Sequence, residues 1–145
     1  MVLIVFIVAG STGAVVILSK KNPSPPPIAH TIQIVNRTAN VNASTYVDYQ
    51  FIIPPNASSI HVSGTFTVQG GSGSGIIVYI FDSSNFEDYA TGSYFGALYQ
   101  SGQTTTALIS SNLDSNGTYF LVFDNTLSTI TQTVNIQANA TYFMP

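Results

Sequence analysis

Five asparagines stand two residues ahead of a serine or threonine with no proline between: Asn36-Arg-Thr, Asn42-Ala-Ser, Asn56-Ala-Ser, Asn116-Gly-Thr and Asn139-Ala-Thr. That spacing is the N-glycosylation pattern, and it implies an exposed site in a compartment where sugar is added. Other chemistry is scarce. His30 and His61 fall on separate elements, one at the end of a proline-rich run and one on an outward strand face, and read as plain surface residues. "LDSNG", Leu113 to Gly117, echoes the start of a calcium loop, but the further oxygen ligands and the glutamate at the twelfth position are missing, which leaves a turn. "QGGSGSG", Gln69 to Gly75, has no following Gly-Lys-Ser/Thr and precedes a strand, so it reads as a flexible connection and not a phosphate loop. No catalytic, cofactor-binding or metal-ligating residues are expected, and the chain does not read as an enzyme.

The composition agrees. Charged residues make up only 6% of the 145 residues, far below the roughly 25% of ordinary domains, so hydroxyls, amides and attached sugars must keep the surface wet. At 45% hydrophobic and 12% aromatic the chain is too apolar to stay disordered. The net charge of -3 excludes a basic patch for nucleic acid, and the absence of cysteine excludes both disulfides and thiol catalysis. A surface with so few carboxylates changes little on protonation, which suits an acidic exterior.

The elements that must carry the sequons follow from the N-terminus onward. Residues 1–19 hold no charge and, as a helix, just cover a hydrocarbon core. The segment is read as a membrane anchor or, alternatively, as a filament core; Ser11, Thr12 and Gly13 would let a neighbouring helix approach closely. Lys20 and Lys21 follow it, which by the positive-inside rule would hold the rest of the chain in the cytoplasm, against the sequons. A basic leader removed upstream of Met1, as in prepilin-like proteins, or a weak lysine bias that is overridden, resolves the conflict. Residues 20–30 contain Pro23 and Pro25 to Pro27 and form a stiff linker.

Residues 31–145 alternate with period two. Ile32 and Ile34 start the pattern; Val47, Tyr49, Phe51 and Ile53 face inward in one strand, and Ile60, Val62, Gly64, Phe66 and Val68 in the next. "IIVYIFD" reads as a central strand covered on both faces. A short helix is expected with Ser84 as its N-cap, Glu87 reaching back, Glu87 and Asp88 near its N-terminus, and Gly92 as its stop. Strands are then expected at Tyr94 to Tyr99, Thr104 to Ser110 and Thr118 to Phe123. A last one places Ile130, Val134, Ile136, Ala138 and Ala140 inward and Asn139 outward. "GTYFLVFDN" should put Tyr119, Leu121 and Phe123 on one face, with Asp124 and Asn125 bonding the backbone where the strand turns. About eight strands and one helix make an antiparallel β-sandwich or jelly roll.

"SIHVSGTFTVQGGSGSGIIVYIFDSSNFEDYATG", Ser59 to Gly92, together with "GTYFLVFDN", resembles the GOLD-like (Golgi dynamics-type) β-sandwich domains of archaeal and other prokaryotic membrane-anchored surface proteins. The likeness covers about Thr45 to Phe143; the sequon at Asn116 stands where that family usually has a proline-rich approach. The resemblance implies an interaction module without shared catalytic residues. The expected function is therefore a non-catalytic, membrane-anchored, glycosylated accessory protein of the cell surface. The alternative is a pilin-like subunit whose apolar helix enters a filament core. Expected partners are the membrane or neighbouring apolar helices, other surface proteins, or copies of the chain itself, and no nucleic acid.

Overall fold

A computed structural model describes residues 24–69, 75–93 and 95–145; the expected anchor at 1–19, Lys20, Lys21 and most of the Gly/Ser connection lie outside the described residues. Among those described, no helix is long and apolar enough to cross a membrane.

Among the described residues, eight strands form two four-stranded antiparallel sheets. The first holds β1 (Ile28–Val41), β8 (Gln132–Met144), β3 (Ser58–Gln69) and β6 (Thr106–Leu113), in that spatial order. The second holds β2 (Tyr46–Ile53), β7 (Gly117–Asp124), β4 (Ile77–Asp82) and β5 (Tyr99–Gln100). Every strand except β5 lies in the opposite sheet from its predecessor, the winding of a jelly roll. Between the sheets lies one core, with Phe51, Val62, Phe66, Val78, Ile80, Leu121, Phe123, Val134 and Ala138 all buried. The inward series expected for β2 and β3 are those observed, because alternation has one solution when one face is buried.

Register shifts at two points, between Ser58 and His61 where β3 joins β8, with Ser59 at φ 50°, and within β1. A bulge between Gln33 and Val35 in β1 shifts the inward position from Ile34 to Val35, and Ala39 and Val41 continue from there. Arg37 shares their parity but stands exposed at this sheet edge, its guanidinium carbon 5.8 Å from the centre of the Tyr49 ring. A bulge and an inward-parity charge on an edge strand both discourage edge-to-edge pairing.

The outer face of the second sheet is closed by α1 (Ser83–Thr91) over a second aromatic cluster in which Tyr79, Phe81 and Val122 are buried against Phe86, Tyr89, Phe95 and Phe120. This is why both faces of β4 and β7 are apolar. Phe86 stacks on Phe120 with ring centres 4.0 Å apart. The cap of α1 differs from the sequence expectation. Asp82, not Ser84, is the N-cap: its Oδ1 accepts from the Asn85 backbone N–H at 2.9 Å and from the Ser84 hydroxyl at 2.9 Å. The carboxylate two residues earlier is the stronger acceptor, and starting there leaves no acid in the first turn, so Glu87 and Asp88 sit mid-helix. Gly92 ends the helix at φ 72°, as expected.

Three further boundaries are corrected. Strand β1 starts at Ile28, before the expected end of the linker at His30. The strand expected from Tyr94 shrinks to Tyr99–Gln100, since residues 95–98 are occupied in bonding back to α1 and β4: Gly96 N–H donates to Asn85 Oδ1 at 2.8 Å and Leu98 N–H to the Ile80 carbonyl at 2.9 Å. Ile130 is exposed and precedes β8, because its carbonyl accepts from Asn125 Nδ2 and its N–H donates to Ser128 Oγ. The inward place that opens β8 belongs to Gln132.

Candidate functional site

The outer face of the first sheet is built from the out-pointing residues of four long strands, and pairing register aligns them into rows. One row runs Thr38, Asn135, Thr67, Thr106 across β1, β8, β3 and β6. The next runs Asn36, Gln137, Thr65, Leu108, then Gln33, Asn139, Ser63, Ser110, then Thr31, Thr141, His61, Asn112. No acidic residue, lysine or arginine stands in any of these rows. Cross-strand bonds tie them together: Thr38 Oγ1 donates to Asn135 Oδ1 at 2.6 Å, Thr133 Oγ1 to Asn40 Oδ1 at 2.9 Å, and the Thr31 and Thr141 hydroxyls meet at 3.0 Å. Asn36, Thr38, Thr65, Thr67, Asn135 and Gln137, with Arg37 and Ile136 also at its lining, surround a shallow depression in this face.

All five sequon asparagines lie outside the core. Asn36 is exposed on β1 and Asn139 half-buried on β8, both on the polar face just described. Asn42 is exposed after β1, Asn56 in the β2–β3 turn and Asn116 in the β6–β7 turn. For Asn139 this follows from the alternation that places Ala138 and Ala140 inward.

The residues with other chemistry are not brought together. His30 has the inner-face parity of β1 and stacks on Tyr142 with ring centres 5.7 Å apart, whereas His61 is on the outer face, its Nδ1 2.8 Å from Asn112 Oδ1. Among the described residues no three His, Cys, Asp or Glu side chains are grouped to hold a metal ion. The "LDSNG" turn is held by Tyr119, whose hydroxyl donates to the Ser115 carbonyl at 2.7 Å.

Two polar clusters were not foreseen in detail. Asn125, only 1% exposed, shares the two Nδ2 protons among the carbonyls of Val41, Asn42 and Ile130 at 3.0, 3.1 and 2.8 Å, tying the β1–β2 turn to the β7–β8 loop. The other comprises Tyr79, Tyr89 and the buried Asp124 beneath α1. Burial pushes the Tyr89 hydroxyl far above the ordinary tyrosine value, with the Asp124 carboxylate reinforcing it; the hydroxyl is buried beside that carboxylate without a hydrogen bond of standard geometry. The signal available for Asn125 was the "DN" that closes a strand; nothing local marks Tyr89.

No protein-family model matches the chain, and no curated protein is significantly similar to it. Among solved structures it is similar to one from Bacillus endospore appendages, described as forming a novel family of disulfide-linked pili. The TM-score is 0.49 at 10% identity, over 88% of this chain and 99% of that one, a likeness too distant to carry an argument.

Proposed function

We propose that the chain is a non-catalytic, N-glycosylated structural protein of the cell exterior that assembles as a pilin-like subunit, with residues 1–19 in the core of the assembly and the sandwich outside. The observation that carries this reading is a set of exposed apolar side chains at opposite ends of the sandwich, which stands beside Leu108, 74% exposed on the outer face of the first sheet, and the exposed Leu98 before β5. At the end where β1 begins and β8 finishes stand Ile28 at 63% exposure, Ile52 at 61% and Phe143. At the other end the β7–β8 loop presents Leu127 at 70% and Ile130. Apolar surfaces at the two ends of one subunit suit a heterologous, head-to-tail contact, which builds an open filament when the rotation between neighbours does not close into a ring.

The sequon positions support an extracellular address with glycans at Asn36, Asn42, Asn56, Asn116 and Asn139. A second reading, an accessory protein anchored singly in the membrane, is favoured by the pairing of Ile28 with Met144, which hangs the domain from the end at which the linker enters. Intact-mass analysis of protein from native membranes, before and after deglycosylation and with the N-terminal peptide sequenced, tests the address. Hexose-rich additions at several sequons are expected, and a chain free of sugar would remove the basis of both readings.

A further inference from the structure

The five sequons differ in what holds their backbone. Asn139 lies in β8 with a strand on each side, opposite Gln33 of β1 and Ser63 of β3, and its partner hydroxyl, on Thr141, is engaged by Thr31 at 3.0 Å. Asn36 lies within β1 opposite Gln137, and its partner hydroxyl, on Thr38, is engaged by Asn135 at 2.6 Å. The asparagines of the other three lie in connections: Asn42 leads into Ser44 at φ 57°, Asn56 itself turns at φ 66°, and Asn116 precedes Gly117 at φ 147°. The hydroxyl residues of the last two, Ser58 and Thr118, stand at the starts of β3 and β7, where Ser58 Oγ donates to the Phe143 carbonyl at 3.4 Å, so only the strand ends need open.

A transferase must hold the carboxamide and the hydroxyl together at one centre. On a strand the side chains at i and i+2 share a face but stand about 6.6 Å apart, so bringing them together means bending the chain out of its ladder. For a turn that bend exists already. For Asn139 it requires taking apart the middle of the first sheet, an opening as costly as unfolding.

We propose that the sequons are used in two phases: Asn36 and Asn139 accept sugar only before β1, β3 and β8 pair, whereas Asn42, Asn56 and Asn116 also accept it on the folded sandwich. This rests on the glycosylation reading above. The donor is a polyprenyl-phosphate-linked oligosaccharide. A C–N bond forms between Asn Nδ2 and the anomeric carbon as the bond from that carbon to the phosphate oxygen breaks; the electron pair leaves with the polyprenyl phosphate, and the amide proton passes to a base of the transferase. Nothing is oxidised or reduced. The polar face of the first sheet is thereby sugared during export, with Asn36 and Asn139 as near-diagonal neighbours across β1 and β8.

The test uses the full chain made without glycans and held in detergent, with membranes containing an oligosaccharyltransferase and its polyprenyl-linked donor. Folded and urea-unfolded samples are compared by peptide mass mapping over time, at a urea concentration the transferase tolerates. In the folded sample Asn42, Asn56 and Asn116 should be modified and Asn36 and Asn139 slower by about 10³-fold or more, the population of open molecules setting that factor. In the unfolded sample all five should react. Comparable rates at all five sites on folded protein, or unreactive turn sites on folded protein, would overturn the two-phase proposal while leaving the glycosylation reading in place. No modification of the unfolded chain at any site would remove that reading and the proposal with it.

Discussion

At the scale of single residues, the side chains that matter most are those whose partners come from distant parts of the chain. Asn125 shares the two protons of its amide nitrogen among three carbonyls from two connections, while its own Oδ1 is buried without a partner. Asn42 and Ile130 keep other donors to their carbonyls, in Thr45 and Ser128, so Asn125→Ala chiefly takes from the Val41 carbonyl its side-chain donor and should cost about 1–3 kcal/mol. Asn125→Asp, which puts a carboxylate against the same carbonyls, should cost at least as much at neutral pH. Urea midpoints of the two variants check this; a loss below 1 kcal/mol in both would show that the amide is not what joins the loops. Tyr89→Phe removes a buried hydroxyl that lacks a partner, so stability should stay level or rise by up to about 1 kcal/mol. A clear loss would reveal a bond to Asp124 stronger than the geometry indicates. The sequence made Asn125 legible as a backbone-bonding corner, because Asp-Asn after an apolar strand has that local chemistry. It could not reveal the carbonyls of Val41 and Asn42, more than 80 positions away in the chain.

At the scale of elements, strand existence and facing were readable wherever one face is buried, as in "IHVSGTFTV", since only one phase of a period-two pattern hides its apolar half. What was not readable depended on competition between neighbours. Ser84 offered a hydroxyl for the cap of α1, but Asp82 offered a carboxylate and took the helix start. Asp82→Ala should therefore lower stability by about 1 kcal/mol while Ser84→Ala does little more than remove a bond to that same carboxylate. Thermal midpoints of the pair decide between the two caps, and a larger loss in the serine variant would contradict the assignment. Gly64 marks another limit. It fits the inward series of β3, but its reason for being glycine lies across the sheet, where an added Cβ would come within 2.8 Å of Ala138 Cα and 2.9 Å of Ala138 Cβ. Gly64→Ala should force β3 away from β8 and cost about 1–3 kcal/mol, measurable by urea titration.

At the scale of the whole molecule, stability against pH follows from which groups the fold perturbs. Hydrogen bonding from the Asn85 backbone N–H holds the Asp82 carboxyl below the usual range. Its contribution is present above the unfolded carboxylate value near 4 and is lost as pH falls through the lower folded value, but this partly exposed cap is worth only about 1 kcal/mol. Burial raises the hydroxyls of Tyr49, Tyr79, Tyr89 and Tyr99. The unfolded chain therefore gives up these protons first, so stability is full below about pH 10 and falls as pH rises above it. Midpoints measured from pH 3 to 11 should be nearly flat on the acid side and drop on the alkaline side. A sharp acid loss would contradict a surface solvated by hydroxyls and amides. The jelly roll places those uncharged rows on one face and unlike apolar residues at its two ends, and assembly is the property this arrangement most directly supports. Electron microscopy of the surface fraction, extracted without denaturant and identified by mass, tests it: the account predicts extended filaments built from this chain, and single copies each in its own detergent micelle would contradict it.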